Sequence, residues 1–386
     1  MSVRTAVDTV DFSPPDLGER EVDEVVAALH SGWLSTGPRV QRFEQAFADY
    51  AGSPHAIALN SCTAALHLSL VVAGIGPGDE VVTTPMTFCA TANVIVHAGA
   101  TPVFADIDPV TMNLTPESAA AVTTPRTRAW LPVHFAGRPI DTVGFRKGAD
   151  RRKLVLIEDA AHCVEGVSAG AKIGTTADFT CFSFYATKNL TTGEGGMVTT
   201  ASDAYAERLR IASLHGMSRG AWARYSRTGS TRYDVVLPGF KYNMTDLQAA
   251  IGLHQLASLD RRHARREQIW RRYDAALADL PVERPALVPA GDLHARHLYT
   301  ILVDETRGRH SRDSLQTAMR ECGVQTSVHF TALHLHAYYA ERFGYRRGMF
   351  PVAESISDRT LSLPLSSGMT DDAVDRVVDV LHELLG

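Results

Sequence analysis

The 386-residue chain is longer than one hydrophobic core usually supports, so we expect a large domain and a smaller one. Charged residues make up 21% of the chain and the formal net charge is -5, which excludes the basic surface typical of nucleic-acid-binding proteins. The expected partner is therefore a small molecule.

The N-terminal stretch MSVRTAVDTVDF has no apolar core of the kind that a signal peptide needs. No apolar run in the sequence approaches the roughly 18 to 20 residues of a membrane span. We therefore expect a cytoplasmic protein with no membrane partner. The cysteines form no CxxC motif, which favours free thiols over disulfides or zinc, and no metal site is predicted. They are Cys62, Cys89, Cys163, Cys181 and Cys322.

Residues 55 to 200 predict alternating strands and helices, because short apolar runs are separated by stretches typical of helices. The predicted strands are HAIALN, EVVTTP, TPVFADID, AWLPVHF, KLVLIEDA and DFTCFSF. The predicted helices are TAALHLSLVVAG, CATANVIVHAG and TPESAAAV. This alternation indicates an α/β protein built on a mostly parallel sheet.

Residues 244 to 280 predict one long helix or two, with Thr245 or Asn243 near the N-terminal cap. A proline-rich connection then leads to a predicted strand, HLYTILVD, and to two helices, RDSLQTAMRECG and DDAVDRVVDVLHELLG. We predict a large domain over residues 1–261 and a small α+β domain over residues 262–386.

The stretch SFYATKNLTTGEGG places Lys188 between an aromatic strand end and a glycine-rich loop. A lysine that bonds to an aldehyde must first lose its proton, and burial lowers the pKa of an amine enough to allow this. The alternative is a solvated loop lysine. The aromatic flank favours a reactive role for Lys188.

Asp159 ends the predicted strand KLVLIEDA, 29 residues before Lys188. Open α/β sheets place their chemistry at the carboxyl ends of strands. This pairing suggests pyridoxal phosphate, whose ring nitrogen must stay protonated: Asp159 would hold that proton and Lys188 would carry the aldehyde. Glu158 is an alternative, although alternation along a strand sends the two acids to opposite faces. A helix cap is the alternative role for Asp159.

A phosphate site is also required. The segment NSCTAALHL runs from a strand into a helix, so the free N–H groups of the first turn and the Thr63 hydroxyl could bind an anion. Ser183, at a predicted strand end, is a second candidate ligand. Phe88 could stack on a flat ring, although phenylalanine is more often part of a core.

Segments along nearly the whole chain resemble, in order, those of one family. They include GWLSTGPRVQRFE, NSCTAALHL, TPMTFCATANVI, FADIDP, PVHFAG, IEDAAHCVEG, SFYATKNLTTGEGGMV, LHGMSR, GFKYNMTDLQAAIGLHQL, ALHLHAYY and LPLSSGMT. The family is that of the DegT/DnrJ/EryC1/StrS aminotransferases, which act on keto-sugars. The resemblance implies the aspartate-aminotransferase fold (pyridoxal phosphate fold type I), with pyridoxal phosphate as cofactor and pyridoxamine phosphate as its intermediate form.

The resemblance implies that Lys188 bonds the cofactor and moves the proton, while Asp159 pairs with the ring nitrogen. His162 would lie against the ring, where many relatives carry glutamine, and Cys62 departs from the glycine common at its position. Relatives with histidine in place of the lysine perform dehydrations, so Lys188 favours transamination. The implied cofactor contacts are completed by Thr63, Ala64, Phe88, Ser183 and, from the partner subunit of a homodimer, Asn243.

The implied reaction is a ping-pong transfer of the amino group from L-glutamate to a keto-sugar. TTGEGGMV and FKYNMTD resemble members that aminate C4 of nucleotide-linked 4-keto-6-deoxyhexoses such as dTDP-sugars, so C4 is predicted. A C3-keto-sugar and a cyclitol of the scyllo-inosose type are the alternatives. The candidate substrate contacts are Thr36, Gly37, Tyr185, Arg232, Lys241 and His329; for the last three, surface solvation or core packing is the alternative.

Two other classes of protein share parts of this pattern. A regulatory protein could keep the aminotransferase fold without its reaction, but the joint presence of Lys188 and Asp159 counts against it. A doubly wound dehydrogenase would need a GxGxxG motif after an early strand, and none occurs.

Overall fold

The computed structural model describes residues 9–218 and 234–386. Its helices are α1 (Glu19–Ser31), α2 (Pro38–Ala51), α3 (Cys62–Val72), α4 (Cys89–His97), α5 (Pro116–Ala121), α6 (Thr142–Arg152), α7 (Asp203–Ser213), α8 (Asp246–Ala257), α9 (Leu259–Ala276), α10 (Arg312–Glu321), α11 (Ala337–Phe343), α12 (Pro351–Arg359) and α13 (Asp371–Leu385). Short 3-10 turns occur at Phe135–Gly137 and Leu333–Leu335.

The strands are β1 (His55–Leu59), β2 (Glu80–Thr83), β3 (Thr101–Phe104), β4 (Thr127–Leu131), β5 (Val155–Asp159), β6 (Val167–Ser168), β7 (Ala171–Lys172), β8 (Phe179–Ser183), β9 (Gly196–Thr200), β10 (Val282–Glu283), β11 (Tyr299–Val303) and β12 (Thr360–Leu363). Each predicted strand and helix of residues 55 to 200 is present, which confirms the α/β class.

Within the described residues the main sheet has seven strands in the order β1-β9-β8-β5-β4-β2-β3. Strand β9 pairs antiparallel with both β1 and β8, whereas the pairs β8/β5, β5/β4, β4/β2 and β2/β3 are parallel. The sheet is therefore mixed and mostly parallel. Because Asp159 lies opposite Cys181 in the parallel β5/β8 pair, the carboxyl ends of these two strands meet at one edge.

The main sheet is buried on both faces, as its continuous apolar strands require. Helix α3 is apolar on almost every side, and Leu66, Leu68 and Leu70 pack with the strand residues Ile157 and Val198. This burial holds the first turn of α3 rigidly at the sheet edge where β5 and β8 end.

The C-terminal part has its own sheet, in the order β10-β11-β12, all antiparallel in pairing. Helices α10 and α13 cover it through a separate apolar cluster that includes Leu315, Val377 and Leu381. Residue Val10 pairs with Val324, so the N-terminal segment is attached to this C-terminal part.

The predicted long helical region is two helices, and α8 begins at a Thr245 cap whose hydroxyl accepts a hydrogen bond from the Gln248 N–H. The division proposed at residue 261 falls inside α9. Leu259 of this helix packs with the large sheet's apolar residues, whereas Trp270 and Tyr273 pack with the C-terminal cluster. The boundary at residue 261 stays a prediction.

In the described ranges, no helix combines the length and the apolar character that crossing a membrane requires. All five cysteines lie in those ranges and are free thiols; Cys62, Cys163 and Cys181 are buried, and Cys89 and Cys322 are half-buried.

Candidate active site

Lys188 lies in the loop after β8, at the carboxyl edge of the main sheet. Its side chain lines a cavity of about 610 Å³ between the sheet and the C-terminal part. A turn in which the Lys188 N–H donates to the Tyr185 carbonyl at 2.9 Å fixes the backbone there. The cavity walls also include eight of the other predicted residues: Cys62, Thr63, Phe88, Asp159, His162, Ser183, Tyr185 and His329.

Enclosure by these walls lowers the pKa of the Lys188 amine to about 8, chiefly through desolvation. The negative charge of Asp159 opposes the shift but does not cancel it. A much larger fraction of the amine is therefore neutral near pH 7 than in an exposed lysine, as a nucleophilic amine requires.

Asp159 is buried and held by two hydrogen bonds. Thr91 Oγ1 donates to Oδ2 at 2.8 Å, and the Ala161 N–H donates to Oδ1 at 3.1 Å. Burial raises the pKa of Asp159, while both hydrogen bonds act to lower it. A cation beside this carboxyl would compensate its desolvation, so the site suits a protonated ring nitrogen. Glu158 instead accepts a hydrogen bond from Thr180 at 3.0 Å and lies outside the cavity wall.

His162 is buried, and its Nδ1 has no hydrogen-bond partner among the described residues. Its ring lies 6.0 Å from the Phe330 ring, nearly parallel, and 4.5 Å from the His297 ring. Burial lowers its pKa well below the ordinary value, and Lys188 and His297 add to the shift. A neutral imidazole with an unused nitrogen therefore forms one wall of the cavity.

The first turn of α3 provides an anion site. Ser61 caps this helix, and its hydroxyl accepts from the Ala64 N–H at 3.1 Å. The N–H groups of Cys62 and Thr63, which have no intrahelical acceptor at this position, stay available to a ligand. Ala64 is not on the cavity wall and its N–H is already used, so its predicted phosphate contact has no free donor here.

Packing and backbone conformation require the glycines of TTGEGG. A Cβ at Gly196 would lie 2.4 Å from the Ser61 carbonyl carbon and 2.5 Å from the Cys62 nitrogen. A Cβ at Gly195 would lie 2.2 Å from Thr192 Oγ1, and Gly193 has a φ of 78°, in the left-handed region. Gly196 is therefore needed for the close approach to the first turn of α3, and Gly193 and Gly195 are needed for the shape of the loop itself, whichever substrate is used.

Two aromatic residues lie at the mouth of the cavity. Phe88 is 59% exposed and lies 6.2 Å from the Phe330 ring, so it is not a core residue. Tyr185 is 48% exposed. Both surfaces are available to a ligand.

His329 belongs to the wall contributed by the C-terminal part. Its Nδ1 lies 2.8 Å from Ser362 Oγ, and its ring stacks on Phe12 at 5.6 Å. Burial, with a contribution from Lys188, lowers its pKa to about 3. The side chain is therefore neutral at physiological pH and could contact a substrate by hydrogen bonding rather than by charge.

A second group of predicted residues lies together but apart from the Lys188 cavity of the same chain. Asn243 Nδ2 donates to Thr36 Oγ1 at 2.7 Å, and Lys241 Nζ donates to Asn243 Oδ1 at 2.5 Å. The Gly37 N–H donates to Asp246 at 2.8 Å, which anchors this loop to the start of α8. Arg232 lies outside the described residues.

The residues that the sequence did not indicate include Phe12, Thr91, His297 and Phe330, which line the cavity. Thr91 follows the predicted Phe88 by three positions, so a period of one helical turn could have identified it. The others come from segments distant in sequence, and no local pattern indicates them.

The residues present fit pyridoxal phosphate. The cavity combines an amine of lowered pKa, a buried carboxyl, the flat neutral imidazole of His162, and free N–H groups at a helix N-terminus. These are groups for an aldehyde, a protonated ring nitrogen, a flat ring and a phosphate, respectively.

Comparison with known proteins agrees with this chemistry. The DegT/DnrJ/EryC1/StrS aminotransferase family matches residues 15–382. The spore coat polysaccharide biosynthesis protein SpsC of Bacillus subtilis (strain 168) is 50% identical over 375 residues, covering 97% of this chain and 96% of that protein.

Solved structures are also similar to this chain. Spr1654 from Streptococcus pneumoniae, in its pyridoxamine phosphate form, has a TM-score of 0.91 and 33% identity over 97% of this chain and 98% of that one. PseC of Helicobacter pylori, an aminotransferase involved in pseudaminic acid biosynthesis, has a TM-score of 0.90 and 26% identity over 98% and 99% of the two chains. The chain belongs to the DegT/DnrJ/EryC1/StrS aminotransferase family and is a pyridoxal phosphate-dependent sugar aminotransferase.

Proposed function

We propose that the protein transfers the amino group of L-glutamate to the C4 keto carbon of a nucleotide-linked 4-keto-6-deoxyhexose, such as a dTDP-sugar. The observation that carries the transaminase chemistry is the position of Lys188, an amine with a pKa of about 8, in one cavity with the buried carboxyl of Asp159. The choice of C4 is supported by the resemblance of TTGEGGMV and FKYNMTD to C4 enzymes.

Bound pyridoxal phosphate supplies the electron sink that makes the proton next to the transferred nitrogen labile. Lys188 Nζ, whose neutral form is accessible near pH 7, would take that proton and return it to the carbon on the other side of the transferred nitrogen. Asp159, oriented by Thr91, would keep a proton on the ring nitrogen. The Cys62 and Thr63 N–H groups and the Ser183 hydroxyl would hold the phosphate end.

The sugar is proposed to contact Tyr185 and His329, which line the cavity. SpsC is named for spore coat polysaccharide biosynthesis and PseC for the biosynthesis of pseudaminic acid, and both names are consistent with a sugar acceptor. The glycine packing at residues 193 to 196 weakens the C4 argument, because those glycines have a structural role in any case. A C3-keto-sugar and a cyclitol therefore stay alternatives.

We also propose a homodimer whose active sites are shared. One cluster of residues is connected by hydrogen bonds but does not line the Lys188 cavity of its own chain, as expected of residues that complete the partner's site. This cluster consists of Thr36, Gly37, Lys241 and Asn243. In addition, Val22, Val26 and Leu29 expose one apolar stripe of α1, which a second subunit could cover.

The experiment begins with the purified protein. Cofactor uptake, bleaching by borohydride and mapping of the reduced label to Lys188 test the transaminase chemistry. Incubation with dTDP-4-keto-6-deoxyglucose and L-glutamate should then yield a 4-amino sugar, identified by NMR. Reaction with a 3-keto isomer alone, or with scyllo-inosose alone, would establish the corresponding alternative. A protein that takes up no cofactor would refute the proposal.

A further inference from the structure

A buried polar chain runs from the C-terminal helices to the wall of the active-site cavity. Arg266 of α9 forms an ion pair with Glu165, and both side chains are almost wholly buried. Glu165 accepts from Asn189 Nδ2 at 3.0 Å, and Asn189 Oδ1 lies 3.1 Å from His297 Nδ1. Asn189 directly follows Lys188, and His297 lines the cavity.

The chemistry of these contacts determines the orientation of the Asn189 amide. Its nitrogen faces only acceptors, the Glu165 carboxylate and, at 2.8 Å, the Ala295 carbonyl. Its oxygen must therefore be the atom that faces His297 Nδ1. Because an amide oxygen only accepts, the hydrogen of a neutral His297 ring resides on Nδ1.

The remaining nitrogen of this ring, Nε2, has no hydrogen-bond partner in the described part of the chain. Burial and the nearby cationic Lys188 lower the pKa of His297 well below its ordinary value, so the ring is neutral. The His162 ring touches it at a centroid distance of 4.5 Å, without a hydrogen bond between the two. The cavity wall therefore presents a hydrogen-bond acceptor at His297 Nε2.

The hydrogen-bond acceptor at His297 Nε2 can bind only groups that donate a hydrogen bond, and the molecules that enter this cavity differ in such groups. The phosphate of the cofactor and the two carboxylates of glutamate offer oxygens that accept hydrogen bonds, so they cannot satisfy Nε2. A sugar presents hydroxyl groups, which donate. The amino group of glutamate and the hydroxyl of the cofactor ring also donate, but both belong to the reacting end of the cavity. A sugar carries several further hydroxyls away from its reacting carbon, so it is the molecule that best supplies a donor to Nε2.

We propose that His297 is a substrate-binding residue whose Nε2 accepts a hydrogen bond from a hydroxyl of the sugar, and that Asn189, held by Glu165 and Arg266, is the positioning residue for its tautomer. The backbone supports this arrangement, because the Ala295 and Leu298 N–H groups donate to the 3-10 turn at Phe135–Gly137. The inference rests on the proposed sugar aminotransferase activity.

The tautomer can be measured without turnover. In the cofactor-loaded protein labelled with 15N-histidine, the difference spectrum between the wild type and His297→Gln isolates the His297 nitrogens. We expect a protonated Nδ1 and an unprotonated Nε2, and in Asn189→Leu a shift toward the Nε2–H tautomer. A protonated Nε2 in the wild type would overturn the proposal.

Kinetics then separate the two substrates. In His297→Phe, kcat/KM for the keto-sugar should fall about tenfold, as for one lost hydrogen bond, while the single-turnover reaction with glutamate stays within about twofold of the wild type. His297→Gln, whose amide oxygen can accept, should recover part of the loss. His382→Phe, at an exposed position on α13, is the matched control.

The outcomes distinguish this inference from the proposed function. An equal loss in both half-reactions, or no loss with the sugar, would refute the role of His297 while leaving the aminotransferase activity in place. A wild-type protein that reacts with glutamate but with no keto-sugar would refute the proposed function, and the His297 role with it.

Discussion

Thr91 donates its hydroxyl proton to Asp159 Oδ2 at 2.8 Å, and this contact joins the first turn of α4 to the end of β5. Thr87 Oγ1 lies 2.8 Å from Thr91 Oγ1. Since the Thr91 proton is used by the carboxylate, Thr87 must donate to Thr91. The chain of hydroxyls thus polarises toward Asp159 and favours its charged form, which is the form that a protonated cofactor ring requires.

Replacement of Thr91 by valine removes this hydrogen bond at nearly constant shape. A hydrogen bond to a charged group contributes about 1.5–3 kcal/mol, so cofactor affinity should fall about tenfold or more. The dissociation constant of pyridoxal phosphate, measured by titration of the cofactor-free protein, tests this. Thr83→Val is the control, because Thr83 makes an equally buried hydrogen bond to the Leu131 carbonyl away from the cavity. Equal affinity loss in the two variants would contradict the assigned role of Thr91.

The lowered pKa of Lys188 predicts the pH dependence of cofactor capture. The neutral amine is the nucleophile, so the rate at which the cofactor-free protein captures pyridoxal phosphate should rise with pH and level off above about 8. Stopped-flow absorbance would record it, with N-acetyl-lysine as the reference, whose midpoint lies near the ordinary lysine pKa of about 10.4. A midpoint for the protein near that of the reference would show that Lys188 is not desolvated.

Gly196→Ala should damage the phosphate site. The added Cβ would meet backbone atoms of Ser61 and Cys62 that cannot move without displacing the first turn of α3. We expect destabilisation of about 1–3 kcal/mol together with weaker cofactor binding. Thermal unfolding with and without cofactor would separate the two effects. Gly76→Ala, where the nearest atom is 3.6 Å from the new Cβ, should change neither.

Shared active sites predict complementation between two damaged subunits. Lys188→Ala loses its own site's lysine, whereas Asn243→Ala damages the site of the partner. When the two variants are mixed after dissociation and reassembly, roughly one site in four should carry both intact residues, because half of the dimers are mixed and each has one complete site. Activity of the mixture well above that of either variant supports sharing. No gain after verified subunit exchange would place Asn243 in its own chain's chemistry.

Much of the site was predictable because its parts coincide with secondary-structure ends. Asp159 and Ser183 end strands, and Cys62 and Thr63 begin a helix, so the parallel pairing of β5 with β8 and the close pairing of β9 with β1 were enough to assemble them. Helices α1 and α2 and strand β9 were not predicted. Strand β9 is buried and five residues long, but it begins at the last glycine of TTGEGG, a stretch whose composition is typical of a loop.

The sequence by itself determined the family, the α/β class and the pairing of Lys188 with Asp159, since these depend on local patterns and on motifs in a characteristic order. Only the tertiary structure decided which neighbouring groups set the pKa values and the protonated nitrogens of the side chains in the site. The lowered pKa of Lys188 depends on enclosure by distant segments, and the tautomer of His297 depends on Asn189, 108 positions away. Desolvation and hydrogen-bond direction are properties of packed neighbours, so no stretch of sequence can encode them alone.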